Sequence, residues 1–341
     1  MLTDRKQDHL DIVLSGRGRG TGKGTGLDEI VFEHSALPEL DLDDIKLATK
    51  LLGKRISAPL LVSSMTGGPS RAAQINKNLA IACESLGIGL AVGSQRVAIE
   101  GDGTGGLDRS LRDLAPSIPI LANFGAAQLN LGFGADEARR AIEMIGADAL
   151  IIHLNPLQEA VQPEGDRNWK GLLDRIGDLA TRLAVPLVVK EVGNGISGRL
   201  ARALFDRGIT HIDVAGAGGT SWAAVEAERA KSPSQAAIAR AFSGWGLPTA
   251  TAIAQVRAAC PEAVVIGSGG IRDGIDVAKA IRLGADIVGQ AAGVLDHAVD
   301  GPEGVIAHFS VVIAQLRICC FCTGSPDLAA LRQAALVGAA Q

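Results

Sequence analysis

No tyrosine occurs anywhere in the 341 residues, which removes one common proton donor from any mechanism the chain could run. Cysteine is sparse as well: Cys83, Cys260, Cys319, Cys320 and Cys322 are the five, and their spacing forms no paired framework. The three thiols of "ICCFC" fall short of the four spaced ligands that zinc or an iron-sulfur cluster needs, and no histidine follows nearby, so buried free thiols are expected. An excess of positive charge is also missing. A net charge of -4 and an isoelectric point near 5.9 provide no broad basic field, which argues against nucleic acid and for small molecules as partners. Uncharged apolar runs of about 18 residues are absent, which speaks against a membrane partner. The opening "MLTDRKQDHLDIVL" lacks the basic, apolar, small order of a secretory signal, so the cytoplasm is the default expectation.

What the sequence does hold is alternation. After residue 55 come eight short apolar runs, "APLLVSS", "IGLAVGS", "IPILANF", "DALIIHL", "PLVVKEV", "HIDVAG", "AVVIGSG" and "ADIVGQ". Between them lie segments such as "DEARRAIEMIGA", with apolar residues at helical spacing. Eight strand-helix alternations with nearly continuous apolar strands predict an α/β chain folded as a (β/α)8 TIM barrel, with an open doubly wound sheet as the alternative. Residues 1–55 form an N-terminal extension, residues 56–341 the barrel, and the segments after about residue 302 its closing C-terminal helices. The stretch 221–246, between the sixth strand and the next helix, reads as an insertion, either a lid or a mobile surface loop.

The polar residues fall at the ends of the runs: Met65, Thr66, Ser94, Gln95, Asn123, His153, Asn155, Lys190, Thr220 and Ser268. In such a barrel those ends share one face, where active sites are built. Strand alternation turns Ile151, His153 and Asn155 to one side and Leu150, Ile152 and Leu154 to the other. Lys190 likewise points inward with Val188, and an inward lysine calls for an anion.

Two glycine-rich segments read differently. "SGRGRGTGKGTG", residues 15–26, imitates a phosphate loop, but Lys23 is followed by Gly24 and no strand precedes it, so a flexible basic loop is the better account. "GSGGIRDGIDVAKAIRLGADIVGQAAG", residues 267–293, places glycines after the seventh and eighth strands just before helix starts, where bare amides can hold a phosphate.

Taken in order, "DRKQDHL", "HSALPE", "LLGKRISAPLLVSSMTGG", "GSQR", "HLNPLQEAVQPEG", "VVKEVGNGIS", "GGTSW", "GSGGIRDGIDVAKAI" and the terminal "TGS" cover almost the whole chain. They resemble type 2 isopentenyl diphosphate isomerase, an FMN-dependent enzyme of isoprenoid biosynthesis. The resemblance implies FMN contacts at Met65, Thr66, Gly67, Ser94, Asn123, Lys190, Thr220, Gly269, Gly270, Ala291 and Ala292. It implies diphosphate binding by Arg5, Lys6, Ser94, Gln95, Arg96, His153, Asn155 and Gln158, a Mg2+ ligand at Glu159, catalytic roles for Gln158 and His153, NADPH as reductant of the flavin, and a homo-oligomer, tetramer or octamer. The run 15–26 and "CCFC" lie outside the matching pattern.

That chemistry explains the lack of a nucleophile. Moving a double bond adds one proton and removes another with no net electron transfer, so proton positioning, stabilisation of positive charge and exclusion of water suffice. A single carboxylate such as Glu159 suits Mg2+, which keeps waters and shares phosphate oxygens. One rival is a net oxidoreductase of the hydroxy-acid oxidase kind, but where those enzymes carry His-Gly-x-Arg this chain reads "VAGAGGTSW". Another is nucleotide dehydrogenation through a loop cysteine, for which no thiol lies at a strand mouth. A non-catalytic phosphate-binding barrel is the third.

Overall fold

A computed structural model describes residues 8–9, 11–22, 24–64, 70–101 and 106–338. Strands β3 (Leu60–Val62), β4 (Gly89–Ala91), β5 (Ile120–Gly125), β6 (Ala149–Leu154), β7 (Leu187–Glu191), β8 (His211–Asp213), β9 (Val264–Ser268) and β10 (Ile287–Gln290) pair in parallel and close into a barrel, with β10 beside β3. Each of the eight apolar runs supplies one strand. The strands are buried on both faces: Leu61, Leu121, Ile151, Val188, Ile266 and Ile287 fill the interior, while Leu60, Leu150, Ile152 and Val189 pack outward against the helices. The fold is therefore the expected (β/α)8 barrel.

The N-terminal end of the barrel is plugged by a hairpin of β1 (Thr49–Leu51) and β2 (Lys54–Ile56), whose Leu51 and Ile56 join the interior cluster. Gly89 makes room for this plug, since a Cβ there would lie 2.9 Å from Leu61 Cδ1 and 3.2 Å from Leu51 Cδ2. The hairpin straddles the boundary drawn at residue 55, so the extension and the barrel share one core. At the same end Asp148 accepts from Ile120 N and pairs with Arg112 at 2.7 Å, and Asp286 accepts from Val265 N and pairs with Arg257 at 2.6 Å. These charges tie loops to strand starts, leaving the opposite face for chemistry.

Two further expectations are corrected. The insertion 221–246 is not the surface loop that one of its two readings expects: Trp222–Arg229 and Pro233–Arg240 are helices, each N-capped by a serine, Ser221 and Ser232, whose hydroxyl accepts from the third residue on. The run 15–26 is not a flexible loop. Gly20 N donates to Gly219 O at 3.1 Å, Ser221 N to Gly18 O at 2.8 Å and Ala250 N to Thr25 O at 2.9 Å, which straps it across the segments that follow β8.

The helix Pro302–Cys322 packs against the helices Ser70–Leu86 and Gly274–Arg282. Val305, Phe309, Val312, Leu316 and Cys320 form its buried stripe, at the spacing that faces one side of a helix. By length and composition it is the one helix among the described residues apolar enough to cross a membrane, with a mean hydropathy of 1.9 and 28% of the window buried. The thiols of "ICCFC" lie at its end, unpaired. Burial pushes Cys319 up to about 11 and Cys320 up to about 12, so neither is a ready thiolate.

Candidate active site

The C-terminal ends of the strands open into a cavity of about 750 Å³. Its floor follows from strand alternation. Two residues beyond the interior leucines, isoleucines and valine, the same face carries Ser63, Asn123, His153, Lys190, Ser268 and Gly289, all of which line the cavity. Asp213 is the register partner of Lys190 on the neighbouring strand. The residues expected at strand ends and those implied by the family resemblance are thus drawn together: Ser94, Arg96, Asn123, His153, Asn155, Gln158, Glu159, Lys190, Thr220, Gly269, Gly270, Ala291 and Ala292 share this one cavity. Met65, Thr66, Gly67, Arg5 and Lys6 lie outside the described residues.

Gln95 departs from the expectation. Its side chain is fully buried and turned into the wall: Nε2 donates to Ala141 O at 2.9 Å, and Oε1 accepts from Asn123 N at 2.9 Å. Asn123 in turn donates from Nδ2 to Val92 O at 3.1 Å, which leaves its Oδ1 to accept from His153 Nδ1 at 2.8 Å. Gln95 therefore acts on the site only by fixing Asn123 and, through it, the imidazole of His153.

Asn155 sits at the N-cap of the short helix Pro156–Val161 after β6 and organises it. Its Nδ2 donates to Gln158 Oε1 at 3.2 Å and to Glu159 Oε1 at 2.8 Å. Asp166 N donates to the other carboxylate oxygen of Glu159 at 2.7 Å. Every donor reaching Glu159 is neutral, so its charge is left for a cation. Three or more His, Cys, Asp and Glu side chains gather nowhere among the described residues as a metal cage. A Mg2+ at Glu159 would accordingly share its shell with water and substrate oxygens, as that ion tends to do.

The centre that sequence reasoning missed is Glu226, on the first helix of the insertion. It is 5% exposed and gathers Gln158 Nε2 at 3.1 Å, Gln162 Nε2 at 2.5 Å, His9 Nε2 at 2.8 Å and Arg229 Nη1 at 2.6 Å. Burial works against its ionisation, but the hydrogen bond and charge of His9, the hydrogen bond from Gln158 and the charge of Arg229 outweigh it and hold the carboxyl down at about 2. His9 also meets Trp222 edge to face, with ring centroids 5.1 Å apart. A glutamate in "WAAVEAER" has the look of a solvated helix face, so no sequence signal marked it.

The floor suits a flat phosphorylated ligand. Ser63 Oγ and Ser64 Oγ, both of residues that line the cavity, are buried atoms without a hydrogen-bond partner, an expensive condition that a bound group would relieve. A Cβ at Gly289 would stand 2.3 Å from Ser63 Oγ and 3.0 Å from Ser268 Cβ, so the floor stays level there only as glycine. Lys190 Nζ rests on its neighbour's carbonyl, Glu191 O, at 2.6 Å. After β9, Gly269 and Gly270 take φ of 107° and 68°, and the helix that follows is already capped by Asp273. After β10, the helix Ala292–Asp300 has Ala291 at its N-cap and no side-chain cap, which leaves its first amides open to an anion. These features fit FMN.

Residues 153–338 match the sequence profile described as FMN-dependent dehydrogenase. The chain is 63% identical over 336 residues to an isopentenyl-diphosphate delta-isomerase of Stutzerimonas stutzeri strain A1501, spanning 98% of this chain and 97% of that one. It is 58% identical over 332 residues to the enzyme of the same name from Xanthobacter autotrophicus strain Py2, spanning 97% and 96%. Among solved structures it is similar to a mandelate oxidase with benzoyl-formic acid, at a TM-score of 0.65 and 18% identity over 98% of this chain and 97% of that one. A lactate oxidase of Pediococcus acidilactici superposes with a TM-score of 0.68 at 16% identity, covering 99% and 94%. These last two likenesses bear on fold alone.

Proposed function

The chain belongs to the isopentenyl-diphosphate delta-isomerase family, and on that premise we propose that it interconverts isopentenyl and dimethylallyl diphosphate by adding and removing protons, with reduced FMN and Mg2+ as helpers and NADPH as the source of the reduced flavin. The observation that carries the reading is one cavity with a polar floor, where the Ser63 and Ser64 hydroxyls lack partners, lined also by Gln158 and His9, each of which hydrogen-bonds to the buried Glu226.

Bound on that floor, reduced FMN supplies a flat electron-rich ring able to exchange a proton and to face positive charge. Everything else falls to the protein. His153, with Ser94, Arg96, Arg5 and Lys6, holds the diphosphate by charge-assisted and neutral hydrogen bonds, while Asn155, its two N–H groups given to Gln158 and Glu159, orders that end of the site instead of binding the anion itself. Glu159 holds the Mg2+ that neutralises it. Gln158 is the positioning amide: Oε1 is committed to Asn155 and Nε2 to Glu226, so its orientation is set before substrate arrives. An amide is too weak an acid to give up a proton unaided. Glu226, held as an anion, supplies the negative charge that a cation-like substrate carbon gains from. Trp222, Val13 and Leu14 line the cavity and keep water from that carbon. A homo-oligomer in the cytoplasm completes the reading. Its test is conversion of isopentenyl diphosphate by the flavin-loaded, reduced enzyme without oxygen; yellow protein that leaves the substrate unchanged sinks it.

A further inference from the structure

The alternating glycines of "SGRGRGTGKGTG" have a structural cause. A Cβ at Gly18 would lie 2.7 Å from Val225 Cγ2, one at Gly20 3.1 Å from Ser243 O, and one at Gly22 3.0 Å from Gly244 O. Val225 is fully buried and β-branched, and the other two obstacles are backbone, so none can yield cheaply. The glycines are thus the face by which the strap lies on the segments after β8. Where Arg19 bridges Thr220, the chain is extended and its next side chain must turn the other way. Arg19 does so and lines the cavity.

Arg19 is exposed at the rim, and it differs from the other cations there in its partners. Among the described cations of the cavity wall, Arg96 pairs with Glu100 and Asp166, Arg272 with Asp28 and Asp276, and Lys190 rests on a carbonyl beside Asp213. The Arg19 guanidinium has no hydrogen bond or ion pair with a described residue. An arginine held at a cavity rim by a strap with no side-chain freedom to spare, and without a protein anion, is poised for a ligand's anion.

We propose that Arg19 is a phosphoryl-binding residue of this site, delivered to the rim by the glycine strap. The proposal rests on the isomerase reading, whose substrate and cofactor both carry phosphoryl groups. The shared chemistry is a bidentate guanidinium contact to phosphoryl oxygens.

The experiment compares the full-length protein with Arg19→Ala, Arg19→Lys and Gly18→Ala. It reads KM and kcat for isopentenyl diphosphate, inhibition by inorganic pyrophosphate, and binding of FMN and of riboflavin to the apoprotein. If the partner is the substrate's diphosphate, Arg19→Ala raises KM and the pyrophosphate inhibition constant about tenfold, with the loss on KM rather than kcat. If it is the flavin phosphate, FMN binding weakens about tenfold while riboflavin binding is unmoved. Either way Arg19→Lys recovers part of the loss, and Gly18→Ala, which keeps the arginine but lifts the strap, reproduces it. Arg19→Ala within twofold of wild type in every measurement overturns the proposal, as does equal weakening of FMN and riboflavin without rescue by lysine. Failure of the wild type to convert isopentenyl diphosphate would sink the isomerase reading instead, and the pyrophosphate and FMN measurements would still judge Arg19.

Discussion

Gln158 Nε2 donates to Glu226 Oε1 across 3.1 Å, joining the short helix Pro156–Val161 after β6 to a helix 68 residues further along the chain. Since Asn155 holds the other end of the same amide, Gln158 has one available orientation. Glu226→Gln removes the anion while His9 and Arg229 stay behind. Isomerisation should then fall by about 100-fold or more with the flavin spectrum unchanged, the scale of a lost positioned proton-transfer group. Gln158→Asn should do the same by shortening the reach. Undiminished turnover in either variant would remove the network from the mechanism.

Gln95 separates a structural role from a binding one. Gln95→Ala leaves Asn123 N without its partner in the interior, whereas Ala141 O keeps its bond within the helix Ala135–Ile145. Urea unfolding should show a loss of about 1–3 kcal/mol, the cost of one unsatisfied buried group. KM for the diphosphate in the folded fraction should move little. A large KM change at full stability would place Gln95 on the substrate after all.

Gly289 tests the floor. A methyl there would collide with Ser63 Oγ at 2.3 Å and crowd Ser268 Cβ at 3.0 Å, raising the surface on which the flavin is expected to lie. Gly289→Ala should therefore weaken FMN binding by at least about tenfold while the barrel melts near its usual temperature, as judged by flavin fluorescence and thermal unfolding. Normal FMN affinity would mean that the ring lies elsewhere.

Two glutamates give opposite signs with pH. Glu226 is held down at about 2 from 4.5, so it contributes stability above pH 4.5 that is lost as pH falls towards 2. Glu191 is raised by burial to about 7 from 4.5, despite hydrogen bonds from Asn194, Gly193 and Val192 and the charge of Lys190. Its ionisation opposes folding above pH 7, and that cost is relieved as pH falls from 7 to 4.5. Melting temperature against pH should lose its acid limb in Glu226→Gln and its gain below pH 7 in Glu191→Gln. Profiles unchanged from wild type would contradict both assignments.

The barrel was legible because strands buried on both faces leave unbroken apolar runs, and eight is the number that closes such a barrel; only the pairing of β10 with β3 excludes the doubly wound alternative. The polar floor was legible for the same reason: a period of two carries Ile151 to His153 and Val188 to Lys190. Gln95 misled because it sits at a strand end like its neighbours, and only tertiary packing shows that Ala141 O lies within its reach. Glu226 and His9 were silent, since their meeting depends on how a helical insertion and an N-terminal extension fold over the mouth. The glycines of 15–26 spell flexibility in isolation and close packing once Val225 and Gly244 are beside them.

The central claim is that protons move while electrons do not. It is tested most directly by counting dimethylallyl diphosphate formed against NADPH consumed, without oxygen, by the FMN-loaded enzyme with Mg2+ and isopentenyl diphosphate. The account predicts many product molecules for each NADPH, with consumption ending once the flavin is reduced. One NADPH spent per product, or reduced flavin with no product, would contradict it.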